Sequence, residues 1–330
     1  MKKRQFGSNG PELTELCIGP MRFNKPGTSG PRQENPHDAL DVAISSGITT
    51  IHSSAEYTSF DDLSQRLQSH PQRAELQHIV KLSNPEYGED AFDKKRFVDD
   101  IDELLSSLAT EQLTVVQHLQ RGPVHKEIVY DESADESRIG VWNAIKDDVL
   151  DTAQELRTQG KIGAFASFPH TMDYAKQVIS DSVVDGIVHY FNLIEVEAAQ
   201  LFSRLAANGQ GFISLRPYLQ GMLTDLQADR TTIDPDSKFA NPGWDEAYAR
   251  LSLVQKYLEA DPRIGLTAQA IRFTLSFPEV TTTVVGLNTT SQIEEAVSVA
   301  EQQPLDAGTR DAIVQEVLDA GLIDKNNLFG

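Results

Sequence analysis

Eight times along this chain a short run rich in β-branched and aromatic residues gives way to a stretch whose apolar residues recur at helical spacing. That alternation limits the fold more than any other feature of the sequence. The strand-like runs fall at 16–21, 49–53, 78–82, 113–119, 162–167, 186–191, 211–215 and 281–287. The helical stretches fall at 36–46, 60–69, 91–108, 141–159, 172–180, 195–208, 244–260, 267–275, 291–301 and 309–320. After the polar turn at Gly7–Gly10 no two strands come in succession, so right-handed helical crossovers must join them into a parallel sheet. Eight such units without a Gly-x-Gly-x-x-Gly fingerprint predict a closed (β/α)8 TIM barrel, of α/β class, with extra helices at the C-terminal end. No low-complexity linker divides the chain, and residues 1–330 read as a single barrel domain.

Charge and cysteine content narrow the function. Against 29 Lys and Arg stand 49 Asp and Glu, a net charge of −20. A surface that acidic repels nucleic acid and anionic membrane alike, so neither is expected as a partner. Cys17 is the only cysteine, which excludes an intramolecular disulfide and any multi-cysteine metal site. The basic start is not backed by an apolar segment, and no stretch is apolar enough to span a bilayer, so a cytoplasmic protein is expected.

In a barrel of this kind the chemistry gathers at the C-terminal ends of the strands. Those ends carry His52 and, just beyond, Tyr57; then Lys81; Gln117 and His118; Ser167, Phe168 and His170; His189 and Tyr190; Arg216; and Gly286. A lysine buried beside a tyrosine lowers the phenol's pKa, and such a pair can act as general acid to a carbonyl oxygen. Gly286 followed by Thr289, Thr290 and Ser291 at a helix start offers free N–H groups to an anion. Four histidines near one end raise the question of a metal. However, no His-x-His pair ends the first strand and no Asp ends the eighth, so no metal is expected. The acidic run 131–136 reads as a solvated loop. Arg121 and Arg216 read either as anion holders or as surface ion pairs.

Six segments, in order, resemble the aldo-keto reductase superfamily over nearly the whole chain. Arg4-Gln-Phe-Gly-Ser-Asn-Gly with Leu16-Cys-Ile-Gly-Pro is similar to the family's N-terminal hairpin and first strand. The segment from Ala39 to His52 and Tyr57 is similar to "ALdaGInfiDTAxxYG", and Ile79-Val-Lys81 to "iaTK". The segment from Gly160 to Ser167 is similar to "GKIRaiGvSN", and Arg216-Pro-Tyr-Leu-Gln-Gly221 to "sPLaqGlLtg". Val284-Val-Gly286 with Ile293-Glu-Glu295 is similar to the cofactor end "ipGxxxxxxlxEN".

The resemblance implies NAD(P)(H)-dependent reduction of a carbonyl, or oxidation of an alcohol, on a small molecule. It places Tyr57 and Lys81 in a catalytic tetrad whose Asp position is taken here by His52 and whose His position is taken by Leu119. His118 stands one place early, so by strand alternation it should face the helices. The cofactor residues it implies are Ser167, Arg216, Tyr218, Gly221, Gly286, Gln292 and Glu295. Phe168, Val188 and Leu215 replace the polar and aromatic groups that would hold the nicotinamide. Gln292 replaces the arginine expected at the adenosine 2′-phosphate, which favours NAD(H) over NADP(H). His52 either relays a proton near neutral pH or fills the space of the lost Asp. Two further readings remain open: a barrel that binds a ligand without hydride transfer, and a lyase or epimerase using His52 and Tyr57.

Overall fold

The computed structural model describes residues 1–22, 36–126, 134–258, 264–286 and 288–321. An antiparallel hairpin, β1 (Lys3–Gln5) and β2 (Glu12–Thr14), precedes the barrel. The barrel strands are β3 (Leu16–Ile18), β4 (Thr50–Ser53), β5 (Gln77–Ser83), β6 (Leu113–Leu119), β7 (Ile162–Ser167), β8 (Gly186–Tyr190), β9 (Gly211–Leu215) and β10 (Val280–Val285). They are parallel and close in the order β10-β3-β4-β5-β6-β7-β8-β9. The helices around them are α1 (Pro36–Ser45), α2 (Phe60–Ser69), α3 (Lys94–Leu108), α4 (Asp135–Thr158), α5 (Met172–Asp181) and α6 (Phe202–Asn208). The chain continues with α7 (Asp245–Leu258), α8 (Leu266–Leu275), α9 (Thr290–Ala300) and α10 (Ala307–Asp319). The expected (β/α)8 barrel is therefore present, with its hairpin.

Strand alternation divides the apolar residues into two cores. Ile79, Val115, Ala164, Val188, Ile213 and Val284 fill the barrel, while the neighbouring Val80, Val116, Phe165, Ile187, Phe212 and Val285 face the helices. The hairpin plugs the N-terminal end, because Phe6 and Leu13 join the inner core. Phe6 requires glycine where β8 and β9 begin. A Cβ on Gly186 would stand 2.5 Å from the Phe6 ring, and one on Gly211 would stand 2.3 Å away. With that end sealed, the opposite end is left for chemistry.

Several boundaries differ from expectation. The first strand stops at Ile18 because Pro20, which cannot donate to the ladder, opens a 3-10 turn over Pro20–Arg22. The stretch 195–208 enters α6 through a 3-10 segment, Glu197–Leu201. Helix α4 begins at Asp135, six residues before the expected start, and runs through Gly140. Arg138 is fully buried and pairs with Asp135, which also accepts from Thr171 Oγ1 at 2.7 Å. That anchoring outweighs the roughly 1 kcal/mol that a glycine costs inside a helix. The acidic run is therefore not wholly a solvated loop: Asp135 and Glu136 form the first turn of α4, and 131–133 lie outside the described residues. Leu287, expected to end the last strand, also lies outside them.

Candidate active site

The period of two that packs the barrel also builds its mouth. Two residues beyond Ile79 stands Lys81, beyond Val115 stands Gln117, and beyond Val188 stands Tyr190. His52 occupies the corresponding place on β4, and Tyr57 follows on a turn closed by its N–H to Ser54 O at 3.0 Å. The three residues expected to do chemistry thus meet at one corner. Lys81 Nζ lies 4.9 Å from the centre of the Tyr57 ring, and the His52 and Tyr57 rings are 6.2 Å apart.

His52 is buried, and its Nε2 is 2.7 Å from Gln117 Oε1. Because an amide oxygen only accepts, Nε2 carries the hydrogen and donates it. Burial pushes the imidazole pKa down to about 4, the Gln117 bond opposes this, and the charge of Lys81 adds to it. At neutral pH His52 is therefore an uncharged hydrogen-bonding group and offers Lys81 no countercharge. That countercharge comes from Glu56, whose Oε2 accepts from Lys81 Nζ at 3.1 Å and from Arg121 Nη2 at 2.5 Å. Burial alone would raise the Glu56 carboxyl, but Lys81 and Arg121 outweigh it and hold it below its ordinary value. Burial likewise lowers Lys81, with Glu56 working against the loss of its charge. Arg121 reads as an internal ion-pair partner, since Nη1 also binds Glu86 Oε2 at 3.0 Å.

Other expected positions divide between mouth and outer layer. His118 faces the helices, as alternation requires: it packs among Phe97, Trp142 and Phe165, with Nε2 bonded to the Asn84 carbonyl. Ser167 is paired in register with His118 and faces the same way, towards Tyr174 of α5. It therefore does not present its hydroxyl to the mouth, and the inward position at that strand end belongs to Phe168. Phe168 stacks edge-on with His170 at 4.8 Å and with Tyr190 at 5.6 Å. His170 is held well below the usual histidine range, first by burial and then by the nearby Arg138 and Arg121. His189 is buried beside Tyr190, with Nδ1 3.2 Å from the Tyr190 carbonyl.

The remaining cofactor candidates follow β9 and β10. Arg216 Cζ lies over the Tyr190 ring at 3.9 Å from its centre, with Glu195 also 3.9 Å from Nη1. Its backbone is left-handed (φ 60°), and Leu219, Gln220 and Gly221 repeat that sense at 42°, 58° and 101°. Such a run in non-glycine residues is costly and is held here by packing, with Leu219 fully buried. Tyr218 is pushed above its ordinary pKa, mainly by burial and further by Glu295. Gln292 caps its own helix: its Oε1 accepts from Asn288 N–H at 2.9 Å and its N–H donates to Thr289 Oγ1 at 3.2 Å. A Cβ on Gly286 would meet nothing closer than Gly19 O at 3.9 Å, so the described neighbours do not require glycine there for lack of space. Neither the Glu56 pairing nor the His52–Gln117 bond can be read from the sequence, because both join separate strands or loops and neither leaves a spacing to read.

Residues 15–315 match the profile of the Aldo/keto reductase family. Among solved structures the chain is similar to an aldo-keto reductase from Bacillus halodurans in its holo form, with a TM-score of 0.72 at 17% identity over 96% of both chains. It is also similar to a glycerol dehydrogenase from Gluconobacter oxydans, with a TM-score of 0.68 at 18% identity over 96% of this chain and 95% of that one. At such identities the likeness is one of fold. No curated protein sequence matches the chain.

Proposed function

Since the chain belongs to the aldo/keto reductase family, we propose that it interconverts a small carbonyl compound and its alcohol with a nicotinamide dinucleotide. The observation that carries this reading is the corner where Tyr57, Lys81 and His52 converge. The dinucleotide supplies or accepts hydride at the carbonyl carbon. Tyr57 gives the carbonyl oxygen its proton in reduction and takes it back in oxidation. Lys81, ion-paired yet close to the phenol ring, stabilises the negative charge left on Tyr57. His52, neutral and with its one ring hydrogen given to Gln117, sits beside Tyr57 and shapes the corner without donating to the oxygen.

The fit of the dinucleotide is uneven along the mouth. Gly286 and the start of α9 would hold its adenosine end, with Arg216, Tyr218, Gly221 and Glu295 as further candidates. The nicotinamide end would face Phe168, Val188 and Leu215, whose apolar side chains would offer its carboxamide no hydrogen bond. Gln292 brings no positive charge for a 2′-phosphate, which supports NAD(H) over NADP(H). Those three apolar side chains are what favours the rival reading of a barrel that binds a ligand without hydride transfer.

Titration with NADH and NADPH, followed by quenching of Trp142 and Trp244, separates the two. Micromolar binding with NADH preferred is the expected outcome. Failure of folded protein to bind either dinucleotide removes hydride transfer and leaves the non-redox readings. The substrate is proposed to be a small carbonyl or alcohol, with no nucleic acid, membrane or metal involved.

A further inference from the structure

Four charges alternate in sign across the corner that holds Tyr57: Lys81, Glu56, Arg121 and Glu86. They come from β5, the turn after β4, the segment after β6 and the segment after β5, so the pairing of β4, β5 and β6 side by side brings them together. Both cations converge on one oxygen, Glu56 Oε2, and Arg121 is fixed further by Glu86 and by the face of the Tyr87 ring at 4.9 Å. Lys81 is only 12% exposed at its side chain, and among the described residues Glu56 is the one carboxylate that pairs with it. The residue five places before Tyr57 is His52, which is neutral and contributes no countercharge.

We propose that Glu56 is a positioning residue: it keeps the Lys81 ammonium charged and aimed at Tyr57, while Arg121, clamped by Glu86, keeps Glu56 ionised and in place. The proposal rests on the reading of Tyr57 and Lys81 as the acid pair. The charges around Lys81 give the members of this arrangement opposite effects on it. Glu56 and, more distantly, Glu86 favour its charged form, whereas Arg121 and burial oppose it. His52 of β4, Tyr57 of the same turn as Glu56 and His170 beyond β7 are the other titratable groups nearby, and both histidines are held neutral at pH 7. Without Glu56, two cations would face each other across a half-closed mouth. Without Arg121, Lys81 would keep its partner and lose a repulsion.

Those opposite signs make the test. The chain labelled with 13C at lysine Cε is titrated by NMR in the absence of any ligand, with the Lys81 signal assigned by its loss in Lys81→Arg. Glu56→Gln is expected to move the Lys81 midpoint down by about one pH unit or more. Arg121→Met is expected to move it up. A structural role alone would loosen the corner in both variants and shift both midpoints the same way. An unmoved midpoint in Glu56→Gln, or a downward shift in both, overturns the proposal. Glu56 is about one-third exposed, at 35%, so the isosteric glutamine is compatible with folding. Because no cofactor or substrate enters the titration, its result is independent of hydride transfer. If the midpoints move as expected while the alkaline limb of kcat/KM stays fixed, the role of Lys81 in turnover fails and the hold of Glu56 on Lys81 stands.

Discussion

Replacing His118 with Phe tests whether the helix-facing histidine is a buried neutral group. In the folded protein burial pushes its pKa from 6.5 to about 4, opposed only by the bond to Asn84 O. A group whose folded pKa is depressed contributes stability that is complete above pH 6.5 and is lost as the pH falls towards 4. The full effect is about 2.5 × 1.36, or about 3.4 kcal/mol, and about 2 kcal/mol of it is already gone at pH 5. Phenylalanine fits the surrounding rings of Phe97, Trp142 and Phe165 but leaves the Asn84 carbonyl without its partner, at a cost of about 1–3 kcal/mol. His118→Phe should therefore be less stable than the parent at pH 7.5 and about equal to it near pH 5. Near pH 5.5 its stability should fall with acidification by about 1.2 kcal/mol per pH unit less than the parent's. Urea unfolding between pH 4.5 and 8 reads this directly. Parallel stability curves in the two proteins would refute the argument, since they would mean that His118 takes up no proton on unfolding.

Two further perturbations probe the plug and the acid. Gly211→Ala should destabilise the fold by about 3 kcal/mol, because the new Cβ meets the Phe6 ring at 2.3 Å and the Gly7 nitrogen at 2.7 Å. Phe6→Ala alone should cost about 3–5 kcal/mol, and the double variant should cost less than the sum, as thermal unfolding would show. Strict additivity would place Phe6 away from β9. Tyr57→Phe should reduce turnover of any established carbonyl substrate by at least about a hundredfold while leaving dinucleotide affinity within about twofold. Unchanged turnover would remove Tyr57 from the chemistry.

Much of the barrel is legible because its two periods are unmistakable. The strands 113–119, 162–167 and 211–215 and the helix 60–69 agree with the structure residue for residue. The start of α4 is not legible, since Gly140 reads as a stop and only the buried contacts of Arg138 override it. Ser167 shows a different failure. The alternation that turns His118 outward applies equally to Ser167, its partner in register, yet matching the segment to a family motif assigns it to the cofactor. Where a motif and a strand period disagree, the period decides which way a side chain points.

Glu56 lies beyond either signal, because a turn has no period and an ion pair between two loops and a strand leaves no spacing behind. Its location also has physical consequences. An aspartate on β4 itself would sit within the strand layer, where His52 is 5% exposed; Glu56 stands on the turn above, with about a third of its side chain in solvent. A countercharge placed there is screened by salt more than a buried one. Arg121 and Glu86 offset that weakness by fixing the carboxylate from the far side and limiting its freedom to follow solvent. If Lys81 serves Tyr57 as proposed, its countercharge thus comes from a braced loop carboxylate, while the strand residue His52 stays neutral and bonded to Gln117.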